Sequence, residues 1–192
     1  MNQSILHFFN DMAGKSAALD DVAKFFIKGS VIIIPVVILA VYFVGIFRKK
    51  ELWRTAAVNT GCIVVIALVI GFIIGRLVHE TRPMFASGSV TTLLPHANDS
   101  SFPSDHMLFC FGAAFGFCPL SKKLGLSLMA FGLLTGIAKV YAGQHYPLDI
   151  VLTILVVYVI YLLYQTLISK YVSKLYGKFE RWILSLSHSA GK

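Results

Sequence analysis

Two stretches, IVVIALVIGFII at residues 63–74 and IVLTILVVYVIYLL at residues 150–163, decide what kind of fold this chain adopts. Each sits inside a run of about 20 residues with almost no charge, the length a helix needs to cross the hydrocarbon of a bilayer. Within lipid every backbone N–H and C=O must be satisfied by the chain itself, and a helix does this segment by segment. The expected fold class is all-α: a polytopic membrane helix bundle of about five transmembrane helices with an amphipathic N-terminal segment.

Working outward, apolar runs predict spans over residues 25–47, 55–78, 106–120, 124–141 and 148–168. Pro35 lies in the first and is expected to kink it or to rest against a neighbouring helix. The third is short for a span unless its entrance lies inside the protein. Ahead of them, Phe8, Phe9, Met12, Leu19, Val22 and Phe26 recur at three-to-four spacing, so residues 2–24 read as an interfacial amphipathic helix or helix pair. The tail resembles this segment, with basic residues between Tyr171, Leu175, Phe179 and Trp182. The 192 residues read as one domain: 1–24 interfacial, 25–168 transmembrane core, 169–192 an amphipathic cytoplasmic tail. Residues 1–15 have no basic start followed by an apolar core, so no cleaved signal peptide is expected.

Composition agrees. Apolar residues make up 57% and charged residues only 14%, where a soluble globular domain carries about 25% charged. The net charge is +8, and alternate loops are rich in Lys and Arg: Arg48, Lys49, Lys50 and Arg54; Lys122 and Lys123; then Lys170, Lys174, Lys178 and Arg181 after the last span. Such alternation marks cytoplasmic segments, so the charge reports topology and argues against a nucleic-acid partner. It puts the N-terminus outside and the C-terminus inside. The long loop at 79–105 and the turn between the last two spans then face outward. Cys62, Cys110 and Cys118 fall inside apolar runs and match no zinc spacing or disulfide framework; they read as small core residues.

Those two outward segments hold the unusual polar residues. His79, His96, His106 and His145, four of the six histidines, lie in or beside them, with Glu80, Arg82, Asp99, Asp105, Lys139 and Asp149. Ionisable groups at span ends are costly unless paired or useful. An ordinary solvated loop accounts for His96, Asn98 and Asp99; it accounts poorly for His106 and His145, each of which opens onto an apolar helix.

Three groupings follow. In Glu80-Thr81-Arg82-Pro83 the proline ends a helix, and the planar fork of Arg82 suits two oxygens of one phosphate. In Phe102-Pro103-Ser104-Asp105-His106 the chain turns into a helix with Ser104 or Asp105 as cap, and the free N–H groups there suit an anion. His106 beside that anion is placed to protonate a leaving oxygen, while Ser104 and Asp105 serve at least as caps. In the segment Lys139 to Asp149, Gly143 and Pro147 make a tight turn, and His145 and Asp149 share a face if the last helix begins early. A carboxylate on one imidazole nitrogen leaves the other as base or nucleophile, and Lys139 adds a second cation. Together these are the parts of a phosphoryl-transfer site.

The order and spacing resemble the phosphatidic acid phosphatase type 2 superfamily, whose motifs are Lys-x6-Arg-Pro, Pro-Ser-Gly-His and Ser-Arg-x5-His-x3-Asp. Here they read at residues 75–83, 103–106 and 138–149. Within it, Glu80-x-Arg82-Pro83, Leu94-Pro95-His96-Ala97 leading to Ser101-Phe102-Pro103-Ser104-Asp105-His106, the stretch at 132–136 and His145-Tyr146-Pro147 are similar to the bacitracin-resistance branch of undecaprenyl-diphosphatases. The resemblance implies removal of the terminal phosphate of undecaprenyl pyrophosphate, without metal or cofactor, in a bacterial plasma membrane. It implies that His145 is the nucleophile, Asp149 its orienting carboxylate and His106 the general acid. Arg82, Lys139 and Ser104 would hold the phosphate. Glu80, Asp105 and His79 are left as supporting residues, substrate contacts or helix-end residues.

Three positions depart from the pattern. Gly75 stands where the first lysine is usual, with Arg76 one residue on as a candidate phosphate-binding residue in its place; a single residue turns a helical side chain by about 100°, so Arg76 takes that role only if the helix is distorted there. Lys139 replaces an arginine and loses the fork. Ala138 replaces a serine. Other lipid phosphates, such as phosphatidylglycerol phosphate or phosphatidic acid, are the nearest rival substrates. A transporter would place ionisable residues at mid-membrane or in paired repeats. A zinc hydrolase would draw on His79, His96, Asp99, His106 and His145, beside cations that repel metal.

Overall fold

A computed structural model of the protein describes residues 2–86 and 88–189. Helices follow the apolar runs: α1 (Asn2–Asn10), α2 (Ala17–Phe47), α3 (Glu51–Val78), the short α4 (Pro83–Ala86), α5 (Asp105–Phe117), α6 (Lys122–Tyr141), α7 (Pro147–Leu167) and α8 (Ser169–Ser189). Among the described residues, α2, α3, α6 and α7 are long and apolar enough to cross a membrane. With 31 and 28 residues, α2 and α3 run about 47 and 42 Å, past the roughly 30 Å of hydrocarbon. Both start earlier than the apolar runs suggest, because polar first turns lie beyond the lipid. Pro35 sits within α2 without ending it.

The third expected span differs. α5 has 13 residues, about 20 Å, and falls short of a membrane crossing by itself. It stands in the middle of the bundle, packed against α2, α3, α6 and α7, with Met107, Leu108, Cys110, Phe111 and Phe117 buried. Its entrance lies within the protein, since Pro103 and Ser104 are buried too. Small residues allow this close packing. A Cβ on Gly116 would lie 2.6 Å from Thr60 Oγ1, and one on Gly132 would lie 2.9 Å from the Phe111 ring.

The outward faces of α2, α3 and α7 expose Ile32, Val36, Leu39, Val65, Phe72, Val151, Leu155 and Val159, the pattern of helices whose outer solvent is lipid. α1 does more than cover an interface. Leu6 and Asn10 are buried; Asn10 Nδ2 donates to Thr91 O and Tyr141 O, both at 2.8 Å, and its Oδ1 accepts from Thr91 N at 2.8 Å. The Tyr141 hydroxyl donates to Asp20 Oδ1 at 2.6 Å. These bonds tie the first two helices to the end of α6 and to the loop ahead of α5. At the opposite end, α8 docks through Arg54 with Glu180 and Asn59 with Ser173. Tyr171, Leu175, Phe179 and Trp182 of α8 stay exposed.

Candidate active site

The site begins where α3 stops. His79 takes left-handed φ and ψ of 51° and 39° as its C-cap. That turn sends Glu80, Thr81 and Arg82 back along residues 99–101: Thr81 pairs with Ser100, and Ser101 N donates to Glu80 O at 2.7 Å. Pro83 then opens α4, and Arg82 is left pointing inward, 2% exposed. Its Nε donates to Asp99 Oδ1 at 2.8 Å, and its Nη1 lies 3.0 Å from both Gln144 O and His145 Nε2.

The last contact sets a tautomer. A guanidinium only donates, so His145 Nε2 is the acceptor and carries a lone pair. The proton of neutral His145 is then on Nδ1, which faces Asp149 Oδ2 at 3.7 Å, an ion-pair distance longer than a hydrogen bond. Burial, reinforced by Arg82 and Lys139 and opposed by Asp149, holds the His145 imidazole well below its ordinary range, so it is neutral at physiological pH.

Asp149 is held in turn. Its Oδ2 accepts from Ser101 Oγ at 2.5 Å and from Tyr146 N at 2.9 Å, because α7 begins at Pro147 and the carboxylate caps its first turn. His145 and Asp149 come together through this early start. The turn before them needs Gly143: its φ is +71°, and a Cβ there would approach Thr91 O to 3.0 Å. Burial and the neighbouring Asp149 carboxylate push the Glu80 carboxyl above its usual range.

Lys139, on the last turn of α6, is 1% exposed and donates from Nζ to Gln144 Oε1 at 2.7 Å. Ser104 occupies the N-cap of α5, yet its side chain makes no capping bond. Its backbone N–H donates to Thr153 Oγ1 at 3.0 Å, and its buried Oγ has no hydrogen-bond partner. A buried hydroxyl without a partner is costly unless a ligand supplies one. His106 is half-buried and borders, with Asp105, an apolar groove of about 290 Å³ lined by Val31, Leu68 and Phe109.

Beside Arg82 opens a cleft of about 410 Å³, lined among others by Gly75, Arg76, His79, Asp99 and Asp105. Arg76 and His79 stand at its rim, both exposed, with the Arg76 guanidinium 5.1 Å from the centre of the Phe72 ring. Arg76 therefore does not fill the place of Gly75. A Cβ on Gly75 would meet Ser100 Cβ and Phe102 O at 3.6 Å, an ordinary contact, and would face the cleft.

The fold thus gathers Arg82, Lys139, Ser104, His145 and Asp149 in its buried interior, sets Glu80, His106 and Asp105 at the border, and leaves Arg76 and His79 outside. Sequence reasoning passed over four participants. Asp99 and His96, read as ordinary loop residues, lie on Arg82 and edge-on to the His145 ring, whose centroid is 6.5 Å from that of His96. Arg82 holds the Asp99 carboxyl below its usual range although burial pushes it up. Ser101 and Gln144 are the others; both stood inside quoted motifs as polar residues without a role. Among the described residues, no three His, Cys, Asp or Glu side chains are gathered as a metal site.

The family model described as PAP2 superfamily matches residues 56–172, more than half the chain and all three motif segments. The chain belongs to the PAP2 superfamily. It is 31% identical to the undecaprenyl-diphosphatase BcrC of Bacillus subtilis, over 83% of this chain and 80% of that one. Among solved structures it resembles Aquifex aeolicus LpxE, with a TM-score of 0.68 and 21% identity over 86% of this chain and 94% of that one. It also resembles a PAP2 type phosphatidylglycerolphosphate phosphatase from Bacillus subtilis, with a TM-score of 0.66 and 17% identity over 88% and 86%. At such identities these two establish the PAP2 fold alone. The protein is a multi-pass membrane protein and a PAP2-type lipid phosphatase.

Proposed function

We propose that this protein hydrolyses undecaprenyl pyrophosphate to undecaprenyl phosphate and inorganic phosphate, at the outer face of a bacterial plasma membrane. The observation that carries the mechanism is the 3.0 Å contact of Arg82 Nη1 with His145 Nε2, which sets a phosphate-binding cation beside an unprotonated, buried nitrogen. In this reading the terminal phosphate takes the Arg82 donor from Nε2 and lies between Arg82, Lys139 and the unpartnered Ser104 hydroxyl. His145 Nε2 attacks phosphorus, the bond to the lipid-side oxygen breaks, and His106, which takes up a proton beside the bound pyrophosphate anion, gives it to that oxygen. The apolar groove beside His106 suits the lipid that carries the leaving group. Asp149 stabilises the imidazolium that develops. Water then attacks phosphorus, His106 takes its proton, and the P–N bond breaks to free phosphate and neutral His145.

The basic loops support the outward placement of this end. The identity to an undecaprenyl-diphosphatase supports the substrate, while the likeness to a phosphatidylglycerolphosphate phosphatase keeps a second lipid phosphate as the rival. Phosphate release by purified, detergent-solubilised protein in EDTA tests both, with undecaprenyl pyrophosphate, phosphatidic acid and phosphatidylglycerol phosphate offered in parallel and His145→Ala as control. Release from the pyrophosphate alone, lost in the control, is the expected result. Equal release from all three would keep the mechanism and remove the substrate assignment.

A further inference from the structure

One buried amide joins the two buried cations of the site. Gln144 is 1% exposed. Its Oε1 accepts from Lys139 Nζ at 2.7 Å, its Nε2 donates to Leu94 O at 3.2 Å, and its backbone O accepts from Arg82 Nη1 at 3.0 Å. Its backbone N–H returns to Lys139 O at 3.0 Å, which closes a ring between the end of α6 and the turn before His145. A single residue is therefore bonded to Arg82, to Lys139 and to the loop that covers them, immediately before His145.

We propose that Gln144 is a positioning residue that aims Lys139 at the substrate phosphate and, being neutral, does not offset the positive charge that lysine offers it. The proposal rests on the phosphatase reading given above. An ammonium is a point charge on a flexible stem and lacks the self-orienting fork of arginine, so its direction has to come from a neighbour. A carboxylate would hold the ammonium as firmly but would cancel the charge that attracts phosphate. An apolar residue would leave a buried ammonium without an acceptor. Of these three, the amide meets both needs. Arg82 is treated differently: its carboxylate partner Asp99 is 53% exposed on a loop, where an incoming anion can displace it.

The test compares Gln144→Glu and Gln144→Leu with wild type in the full-length protein in detergent. KM and kcat for undecaprenyl pyrophosphate, inhibition by inorganic phosphate, and Tm are read together. Gln144→Glu is expected to keep Tm within about 2 °C, raise KM and weaken phosphate inhibition about tenfold, and change kcat less than about threefold. Gln144→Leu is expected to weaken phosphate inhibition similarly, and Lys139→Arg in that background to restore it severalfold, since the fork supplies its own orientation. Wild-type phosphate inhibition in Gln144→Glu would mean that the amide only satisfies the lysine, and would overturn the proposal even if Gln144→Leu fails to fold. Wild-type behaviour in Gln144→Leu would overturn it as well. A wild-type protein that neither hydrolyses the lipid nor is affected by phosphate would instead bring down the phosphatase reading and this proposal with it.

Discussion

At the α8 end of the bundle Arg54 pairs with Glu180 and donates to Gly45 O at 2.9 Å, Tyr164 donates to Asn59 Oδ1 at 2.8 Å, and Asn59 donates to Ser173 Oγ at 3.0 Å. At the His145 end Arg82 and Lys139 are more deeply buried, yet one leans on a half-exposed carboxylate and the other on a neutral amide. Two of the three buried side-chain atoms without a hydrogen-bond partner among the described residues, Ser104 Oγ and His145 Nδ1, are also here. The third, Thr60 Oγ1, is pressed against Gly116 in a helix contact. Thr60 apart, the first end closes its polar network on itself and so serves stability. The second buries cations beside polar atoms that the protein itself leaves without partners, an arrangement that costs stability and is common at functional sites.

Arginine removal at each end breaks this comparison most sharply. Arg82→Ala should cut phosphate release at least about a hundredfold, the scale for removing a donor aimed at developing charge. Arg54→Ala should leave the rate per folded molecule within about twofold and destabilise by about 1–3 kcal/mol, because Glu180 loses its partner. Thermal unfolding and turnover of both variants decide the matter; a large rate loss in Arg54→Ala would show that the two ends are coupled.

The pH profile comes next. In the proposed mechanism the attacking form of His145 is neutral, and burial with Arg82 and Lys139 lowers its pKa. The acid limb of kcat/KM should therefore lie below the ordinary imidazole value of about 6.5. The sign for stability is the same: the folded state disfavours protonation, so this group's contribution is present above the unfolded pKa and is lost as pH falls through the lowered folded one. Loss of activity already near pH 6.5, in protein that remains folded, would contradict a buried neutral nucleophile.

Asp99→Asn removes the carboxylate from Arg82 while keeping its shape. Inhibition by inorganic phosphate should tighten by about two- to fivefold, with a stability loss of about 1 kcal/mol, since Asp99 is half-exposed while the buried Arg82 keeps its bond to Gln144 O. Weaker inhibition would make Asp99 a support for Arg82 and not a stand-in for the anion. Least of all, Gly75→Lys has room for its Cβ and adds a cation to the cleft, so phosphate inhibition should tighten by less than about threefold. A folded variant with weakened inhibition would show that the cleft tolerates no side chain there.

The membrane spans were legible because lipid imposes a local rule: some 20 apolar residues in a row are visible without any partner. α5 was less so. With 13 residues it is short, and only its helical neighbours make that length workable. The motif segments were legible for a related reason, since proline, glycine and helix starts act within a few residues of one another. Pro147 begins α7 early enough to place Asp149 near His145, as a spacing of four allows.

The sequence by itself determined a lipid-embedded helix bundle, the end at which ionisable residues gather, and the residue types of the proposed phosphate site. Tertiary structure decided which of them meet. Arg82 reaches Asp99 across 17 positions and His145 across 63, and Ser101 reaches Asp149 across 48. It also decided that Arg76 stays at the rim while Gln144 enters the centre. Hydrophobic runs and turns are set by interactions between near neighbours in the chain, whereas hydrogen bonds among buried polar groups depend on which helix ends the packing of α3, α5, α6 and α7 brings together.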